Sequence, residues 1–342
     1  MTRFEAEIQE MPRALRALIS YYRGEGAARL DAFGALAGPD RELFFSGMGT
    51  SLFCPEVMFP RLTRAGRRAR SVDAGEWLHK QAALYRPESL LVLTSQSGES
   101  AELARLVERG VGAPYVAITN NEASTLANSA QLVLPLRAGD EASISNKTYS
   151  NTLALCSLLA SALEGPAELR RTLDLLERCA DALENQQTTG LDAAAEALRP
   201  ATGLAFVGRG SALVAARQCA LTFMEGTRIL CSAFAGGAFN HGPFESVGPG
   251  FGLVILDGGP STRVLAHGLA DRARALGATV VVAGSAPAAG DVLSLPVSDL
   301  GGEEYFPLLF SKAQNLLIHR LAALKGHEAG IFRHGGKVTR HE

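Results

Sequence analysis

The chain has 342 residues, enough for two domains of ordinary size, and 47% hydrophobic against 20% charged residues supply a core for each, which excludes a disordered protein. A formal charge of -2 provides no general basic field for nucleic acid, so any anion has to be bound locally. The five cysteines (Cys54, Cys156, Cys179, Cys219, Cys231) form no CxxC pair and are odd in number, the usage of free thiols in a reducing compartment.

Residues 1–22 mix acidic and basic side chains on a helical pattern and lack the apolar run and cleavage site of a secretory signal. The longest nearly apolar stretch, Thr152 to Leu163, is too short to span a bilayer, so a cytoplasmic chain with no membrane partner is expected. From Glu42 onward short apolar runs alternate with amphipathic stretches: LFFSG, LLVLTS, YVAIT and LVLPL, then LAFVG, FGLVIL, TVVVAG and LSLP. Strands buried on both faces of a parallel sheet read this way. Between them, Glu102 to Gly110 places Leu103, Leu106 and Val107 on one helical face and ends on a capping glycine. The expected architecture is α/β, a doubly wound parallel sheet.

The two halves repeat one another. Gly47-Met48-Gly49-Thr50-Ser51 recurs as Gly208-Arg209-Gly210-Ser211-Ala212, and Ser71-Val72-Asp73-Ala74-Gly75 as Ser232-Ala233-Phe234-Ala235-Gly236, both 161 residues on. With one residue more of offset, His79 falls opposite His241 and Leu91-Val92-Leu93 opposite Leu253-Val254-Ile255. Four features in step indicate one fold used twice. The expected organisation is an N-terminal helical segment (1–40), a first domain (41–165), a helical linker bounded by prolines (166–199), a second domain (200–326) and a C-terminal tail over the active site (327–342).

The sharpest chemical signal is Leu90-Leu91-Val92-Leu93-Thr94-Ser95-Gln96-Ser97-Gly98-Glu99-Ser100, a buried strand running into hydroxyls and a glycine before a helix. Such a helix start offers unpaired N–H groups at the positive end of the dipole, the serines add donors, and Gly98 allows close approach, all of which suits a phosphate. The plainer interpretation is an N-cap with spare serines. At the equivalent place in the second half stands Asp257-Gly258-Gly259-Pro260-Ser261, where an acid and a proline remove the donors. Only the first copy therefore keeps an anion cradle.

Ser95-Gln96-Ser97-Gly98-Glu99-Ser100, with Gly47-Met48-Gly49-Thr50-Ser51 upstream, Ser145-Asn146-Lys147-Thr148-Tyr149 downstream and His241-Gly242-Pro243 in the second half, resembles the SIS (sugar isomerase) family, and within it the isomerase portion of glucosamine-6-phosphate synthase. The resemblance implies tandem SIS domains in which Thr50, Ser51, Ser95, Gln96, Ser97 and Ser100 hold phosphate and sugar hydroxyls while Ser145 lines the sugar site. The ammonia-supplying amidotransferase of the full synthase has no counterpart in this chain, which is therefore not expected to be that synthase.

Chemistry at C1 and C2 of a sugar needs a base for a carbon-bound proton and a group that opens the ring. Glu225 lies at the end of an apolar-faced helix predicted from Leu213 to Glu225 and closed by Gly226, where the dipole disfavours a carboxylate and should raise its pKa. His241 sits in a glycine-rich loop able to project an imidazole. Taken singly, a surface glutamate and a hydrogen-bonded loop histidine are the plainer assignments. In the resembled enzymes, however, a catalytic Glu precedes the His of the HGP motif by the same interval. Two positions depart from that pattern: Thr222 stands where the synthase family has lysine, and Ala238 where it has glutamate. The string Thr222-Phe223-Met224-Glu225 is instead similar to the fructoselysine-6-phosphate deglycases.

Lys337, after Gly335-Gly336, lies as far from the C-terminus as the family's active-site tail lysine, and the glycines suit a mobile lid. An ordinary solvated lysine fits the same string. His327, His334 and His341 recur every seven residues without carboxylate or cysteine partners, so no metal is expected, and no cofactor. The sequence therefore points to an isomerase, deaminase or deglycase acting on a sugar phosphate through Glu225 and His241. The alternative is a non-catalytic sugar-phosphate sensor. The resemblance also implies a homodimer in which His241 completes the neighbouring subunit's site. A nicotinamide dehydrogenase is disfavoured, because neither GxG turn continues to a third glycine.

Overall fold

The computed structural model describes residues 1–81, 86, 88–110, 114–288, 290 and 292–338. In chain order the first half contains α1 (Arg3–Arg23), α2 (Ala27–Ala37), β1 (Leu43–Gly47), α3 (Thr50–Phe53), α4 (Phe59–Arg64), β2 (Ala69–Asp73), α5 (Ala74–Glu76), β3 (Leu90–Thr94), α6 (Ala101–Glu108), β4 (Tyr115–Thr119), α7 (Thr125–Asn128), β5 (Leu132–Pro135), α8 (Lys147–Glu164) and α9 (Pro166–Glu184). The second half contains α10 (Leu191–Leu198), β6 (Gly203–Gly208), α11 (Ser211–Thr227), β7 (Leu230–Ala235), α12 (Gly236–Phe239), β8 (Phe251–Asp257), α13 (Arg263–Ala275), β9 (Thr279–Gly284), β10 (Leu293–Pro296) and α14 (Phe306–Leu324).

Two compact units interleave along the chain. One comprises Met11–Glu141, Lys147–Ala180 and Phe332–Glu342, and is called the first unit; the other comprises Met1–Glu10, Ala142–Asn146 and Asp181–Ile331. The helical stretch from 166 to 199 is divided between them, with α9 changing unit at Ala180.

The first unit is built on a parallel sheet in the order β2-β1-β3-β4-β5, and the second on a parallel sheet in the order β7-β6-β8-β9-β10. The two orders are the same, so the repeat seen in the sequence is a repeat of topology. Strands β1, β3 and β4 are buried along their whole length, as apolar runs without alternation require. Phe44, Leu91, Leu93 and Ala117 face Trp77, Leu103 and Leu106 on one side. The next residue, Phe45, turns to the other side and packs on Phe59 with ring centroids 5.8 Å apart. Each such side chain contributes about 1.5–3 kcal/mol on burial.

The second sheet repeats the sandwich. Ala205, Val207, Ile255 and Val282 meet α13 on one face, while Phe206 meets Phe223 of α11 on the other, with ring centroids 4.8 Å apart. Within α8 every residue from Lys147 to Ser161 is buried, which accounts for the apolar run from Thr152 as a core helix. Among the described residues no helix is long and apolar enough to cross a membrane. All five cysteines are free and buried.

Candidate functional site

In the order β2-β1-β3-β4-β5 the chain leaves β1 toward β2 and then returns to the other side of β1 as β3. The winding reverses between β1 and β3, and open α/β sheets place ligands outside the carboxyl ends of the strands at such a point. Two loops meet there. After β1, Gly47 is required by close approach, because a Cβ on it would lie 2.8 Å from Ser51 Cβ and 2.9 Å from the Thr94 carbonyl oxygen. Gly49 turns with φ 51° into α3, which places Thr50 and Ser51, both half-buried, just beyond the carboxyl end of β1.

After β3 the loop 95–100 is held by its own hydroxyls and by β4. The Ser95 hydroxyl is 2.9 Å from that of Ser100 and accepts from the Gly98 N–H at 3.1 Å, and Ser97 Oγ accepts from the Glu99 N–H at 3.1 Å. Ser95 N–H donates to Ile118 O at 3.0 Å, and the Gln96 carbonyl accepts from Asn120 N–H at 3.0 Å and Thr119 Oγ1 at 3.3 Å. Gly98 adopts φ 69°, and a Cβ there would collide with the Ser124 side chain. The glycine is thus demanded by both conformation and space. Glu99 reaches across to Thr125, accepting from its N–H at 2.8 Å and its hydroxyl at 2.9 Å. Ser100 is the N-cap of α6 with extended backbone, yet its side chain makes no cap bond, having turned back to Ser95. Ser95, only 2% exposed, therefore braces the loop. Gln96, Ser97 and Ser100 are half-buried at the helix start. A preformed loop ahead of a helix whose N-cap side chain leaves the first N–H groups alone fits an oxyanion.

The second sheet has an internal carboxylate at the corresponding place. Asp257 ends β8 with its side chain wholly buried, pairs with Arg263 Nε at 2.8 Å, lies 3.6 Å from His267 Nε2, and accepts from the Gly259 N–H at 3.3 Å. Arg263 also donates to Ser285 Oγ at 2.8 Å. The protein's own anion occupies the cradle position of this copy.

Helix α11 runs two residues beyond the predicted end and stops at Arg228, whose left-handed φ of 61° sends its N–H to Met224 O at 3.0 Å. Gly226 is therefore not the terminator. It lies inside the helix, where a Cβ would run into Ile318 Cγ2 and lie 3.1 Å from Ile144 Cδ1, so its function is close packing. Glu225 is half-buried in the last turn. Thr222, at the family's lysine position, is fully buried, donates to Gln218 O at 2.8 Å and accepts from Gln314 Nε2 of α14 at 3.1 Å. His241 is exposed just after α12, its N–H bound to Ala238 O at 3.0 Å.

Ser145 is half-buried and belongs to the short segment of the second unit, whereas Thr50, Ser51, Ser95, Gln96, Ser97 and Ser100 all belong to the first. Lys337 also belongs to the first unit, but not as a free lid: its Nζ is 2.5 Å from Glu141 Oε1, and the Glu141 side chain is wholly buried. Glu141 and Asn120 were not singled out from the sequence. An acid shortly ahead of the Ser145-Asn146-Lys147 helix start was the available signal for the former. His341 lies outside the described residues. Among those described, no three His, Cys, Asp or Glu side chains gather as a metal-ligand group.

The twofold repeat of a 2-1-3-4-5 parallel sheet, with a serine-rich loop at the switch point of the first, defines a tandem doubly wound α/β protein. Residues 38–162 match the SIS domain family. The chain is 32% identical over 357 aligned positions to the isomerizing glutamine–fructose-6-phosphate aminotransferase of Aeropyrum pernix, covering 97% of this chain and 56% of that one. It thus spans about half the length of that curated relative. Among solved structures, the C-terminal domain of glucosamine-fructose-6-phosphate aminotransferase from Francisella tularensis superposes with a TM-score of 0.83 at 19% identity, covering 96% of this chain and 98% of that one. The tagatose-6-phosphate ketose/aldose isomerase of Escherichia coli superposes with a TM-score of 0.78 at 23% identity, covering 96% and 94%.

Proposed function

We propose that this protein binds a keto- or amino-sugar 6-phosphate and moves a proton between C1 and C2, as an isomerase, a deaminase or a fructosamine-6-phosphate deglycase. The observation that carries this reading is the braced loop 95–100 at the switch point of the first sheet, with Ser97 and Ser100 half-buried at the start of α6. Phosphate binding falls to Thr50, Ser51, Gln96, Ser97 and Ser100, with Ser95 as their brace and Ser145 assigned to the sugar. Lys337 supplies a cation on the first unit.

Glu225 is assigned the carbon-bound proton. Its carboxylate takes the proton from C2 or C1 and returns it to the neighbouring carbon through an enediol or its nitrogen analogue, so no outside oxidant is needed; with an amino sugar or fructosamine the product is an imine, to which water adds and from which the amine leaves. His241, donated by a second copy of the chain, is assigned to ring opening. Support for a homodimer with composite sites comes from the second unit alone: α11 delivers Glu225 to the amino edge of the sheet, whereas His241 follows the carboxyl edge of β7.

One observation favours a second reading, that of a sugar-phosphate sensor without catalysis. Thr222 is sealed between α11 and α14, so the position where the synthase family has lysine carries no amine. A thermal-shift screen against hexose 6-phosphates, amino-sugar 6-phosphates and phosphorylated fructosamines tests binding, because a ligand that binds only the folded state raises its apparent stability. Stabilisation by a 6-phosphate but not by the unphosphorylated sugar is expected. A flat screen would reject the phosphosugar reading.

A further inference from the structure

Lys337, near the C-terminus, is held on the first unit by a buried carboxylate. Glu141 has a wholly buried side chain with both oxygens in use: Oε1 meets Lys337 Nζ at 2.5 Å and accepts from Thr148 Oγ1 at 2.7 Å, while Oε2 accepts from Thr148 N–H at 2.9 Å. It therefore caps the start of α8 and holds the tail lysine in one step. Its position in the sheet is also defined. Leu136 N–H binds Thr119 O at 2.9 Å, Ala138 N–H binds Asn120 Oδ1 at 2.9 Å, and Asn120 Nδ2 binds Gly139 O at 2.8 Å. The Asn120 N–H in turn holds the Gln96 carbonyl of the phosphate loop. One hydrogen-bonded run thus joins the cradle to the residues just before Glu141, at the same carboxyl edge of the sheet, about two strand spacings or roughly 10 Å across.

We infer that Glu141 is the positioning residue that fixes the Lys337 ammonium beside the phosphate cradle. A surface lysine on a glycine-flanked tail would lose much conformational entropy on ordering; a buried carboxylate, already held by the α8 cap, offers a preorganised partner for it. The placement of Glu141 stands on geometry alone, while its consequence for turnover rests on the sugar-phosphate reading above.

Amine acylation with acetic anhydride, read per lysine by peptide mass spectrometry, tests the docking without any substrate. In the wild-type protein Lys337 should acylate more slowly than exposed Lys80. Glu141→Gln should speed Lys337 on the order of tenfold, because breaking a buried pair frees the tail. Thr148→Val, which removes the cap hydroxyl but leaves the pair, should not. Equal rates for Lys337 and Lys80 in the wild type would overturn the inference even if Glu141→Gln fails to fold, as would equal Lys337 rates in wild type and a folded Glu141→Gln. Proton exchange of fructose 6-phosphate in D2O gives the functional arm. Glu141→Gln, Lys337→Ala and the double variant should lose exchange to the same extent, whereas losses that multiply would contradict a shared role. If wild type exchanges a proton with none of fructose 6-phosphate, glucosamine 6-phosphate and a phosphorylated fructosamine, the functional reading fails while the acylation result still decides the docking.

Discussion

Glu225 and His241 stand at opposite edges of the second sheet. Helix α11 returns the chain antiparallel to β6 and releases it two residues before β7, with Glu225 in its last turn; His241 comes only after β7 and α12 have carried the chain to the other edge. The six residues of β7 separate the edges by about 20 Å. If both side chains serve one sugar, they have to come from different chains. Dead Glu225→Gln and His241→Asn variants, dissociated and reassembled together, should then recover roughly a quarter of wild-type activity, since half of randomly mixed dimers are hybrid and each hybrid holds one intact site. No recovery after proven subunit exchange would place both groups within one chain.

The proposed phosphate loop makes a separate prediction. Ser97→Ala or Ser100→Ala removes one hydroxyl from a charge-assisted contact worth about 1.5–3 kcal/mol, so affinity for a hexose 6-phosphate should fall by roughly tenfold or more while the circular dichroism spectrum is kept. Gly98→Ala should do more harm, because a side chain at φ 69° is strained and its Cβ meets Ser124. Calorimetric titration and thermal melts distinguish the two cases.

Gly226→Ala tests the packing of the second unit. Alanine in a helix interior gains about 1 kcal/mol over glycine, but here the added methyl collides with Ile318 and crowds Ile144, and overpacking costs about 1–3 kcal/mol. The melting temperature should fall, and a rise would show that α11 and α14 have slack.

The cysteines predict an alkaline limit to stability. Burial pushes the thiols of Cys179 and Cys231 up from an ordinary value of 9.0 to about 12 and raises those of Cys54 and Cys219 as well. Neutral thiols are favoured in the folded state, so this contribution is complete below pH 9, declines as the unfolded chain ionises first, and is lost as pH approaches 12. A disulfide reagent at pH 8 should find these thiols inert in the native protein and reactive after urea unfolding.

The strands and the braced turn 95–100 were legible because local chemistry determines them: an apolar run without alternation has to be buried on both faces, and serines around a glycine before a helix supply the hydroxyls that hold a turn. The duplication predicted the shared strand order, and Asp257 marked where the second copy departs from the first. Gly226 was misread because a glycine near a helix end looks like a terminator; only Ile318, far along the chain on α14, shows that it is a packing residue. Lys337 was assigned a mobile tail for the same reason, since its partner Glu141 lies 196 residues away. Long-range pairs of this kind leave no period in the sequence.

The most direct test of the account is solvent exchange at the sugar carbons. Wild-type protein incubated in D2O with fructose 6-phosphate, glucosamine 6-phosphate and a phosphorylated fructosamine should place deuterium at C1 or C2 of one of them, read by NMR. Glu225→Gln should bind that sugar and place none, because the amide cannot take the proton. A 6-phosphate that stabilises the wild-type protein yet acquires no deuterium would contradict catalysis and leave a sugar-phosphate sensor.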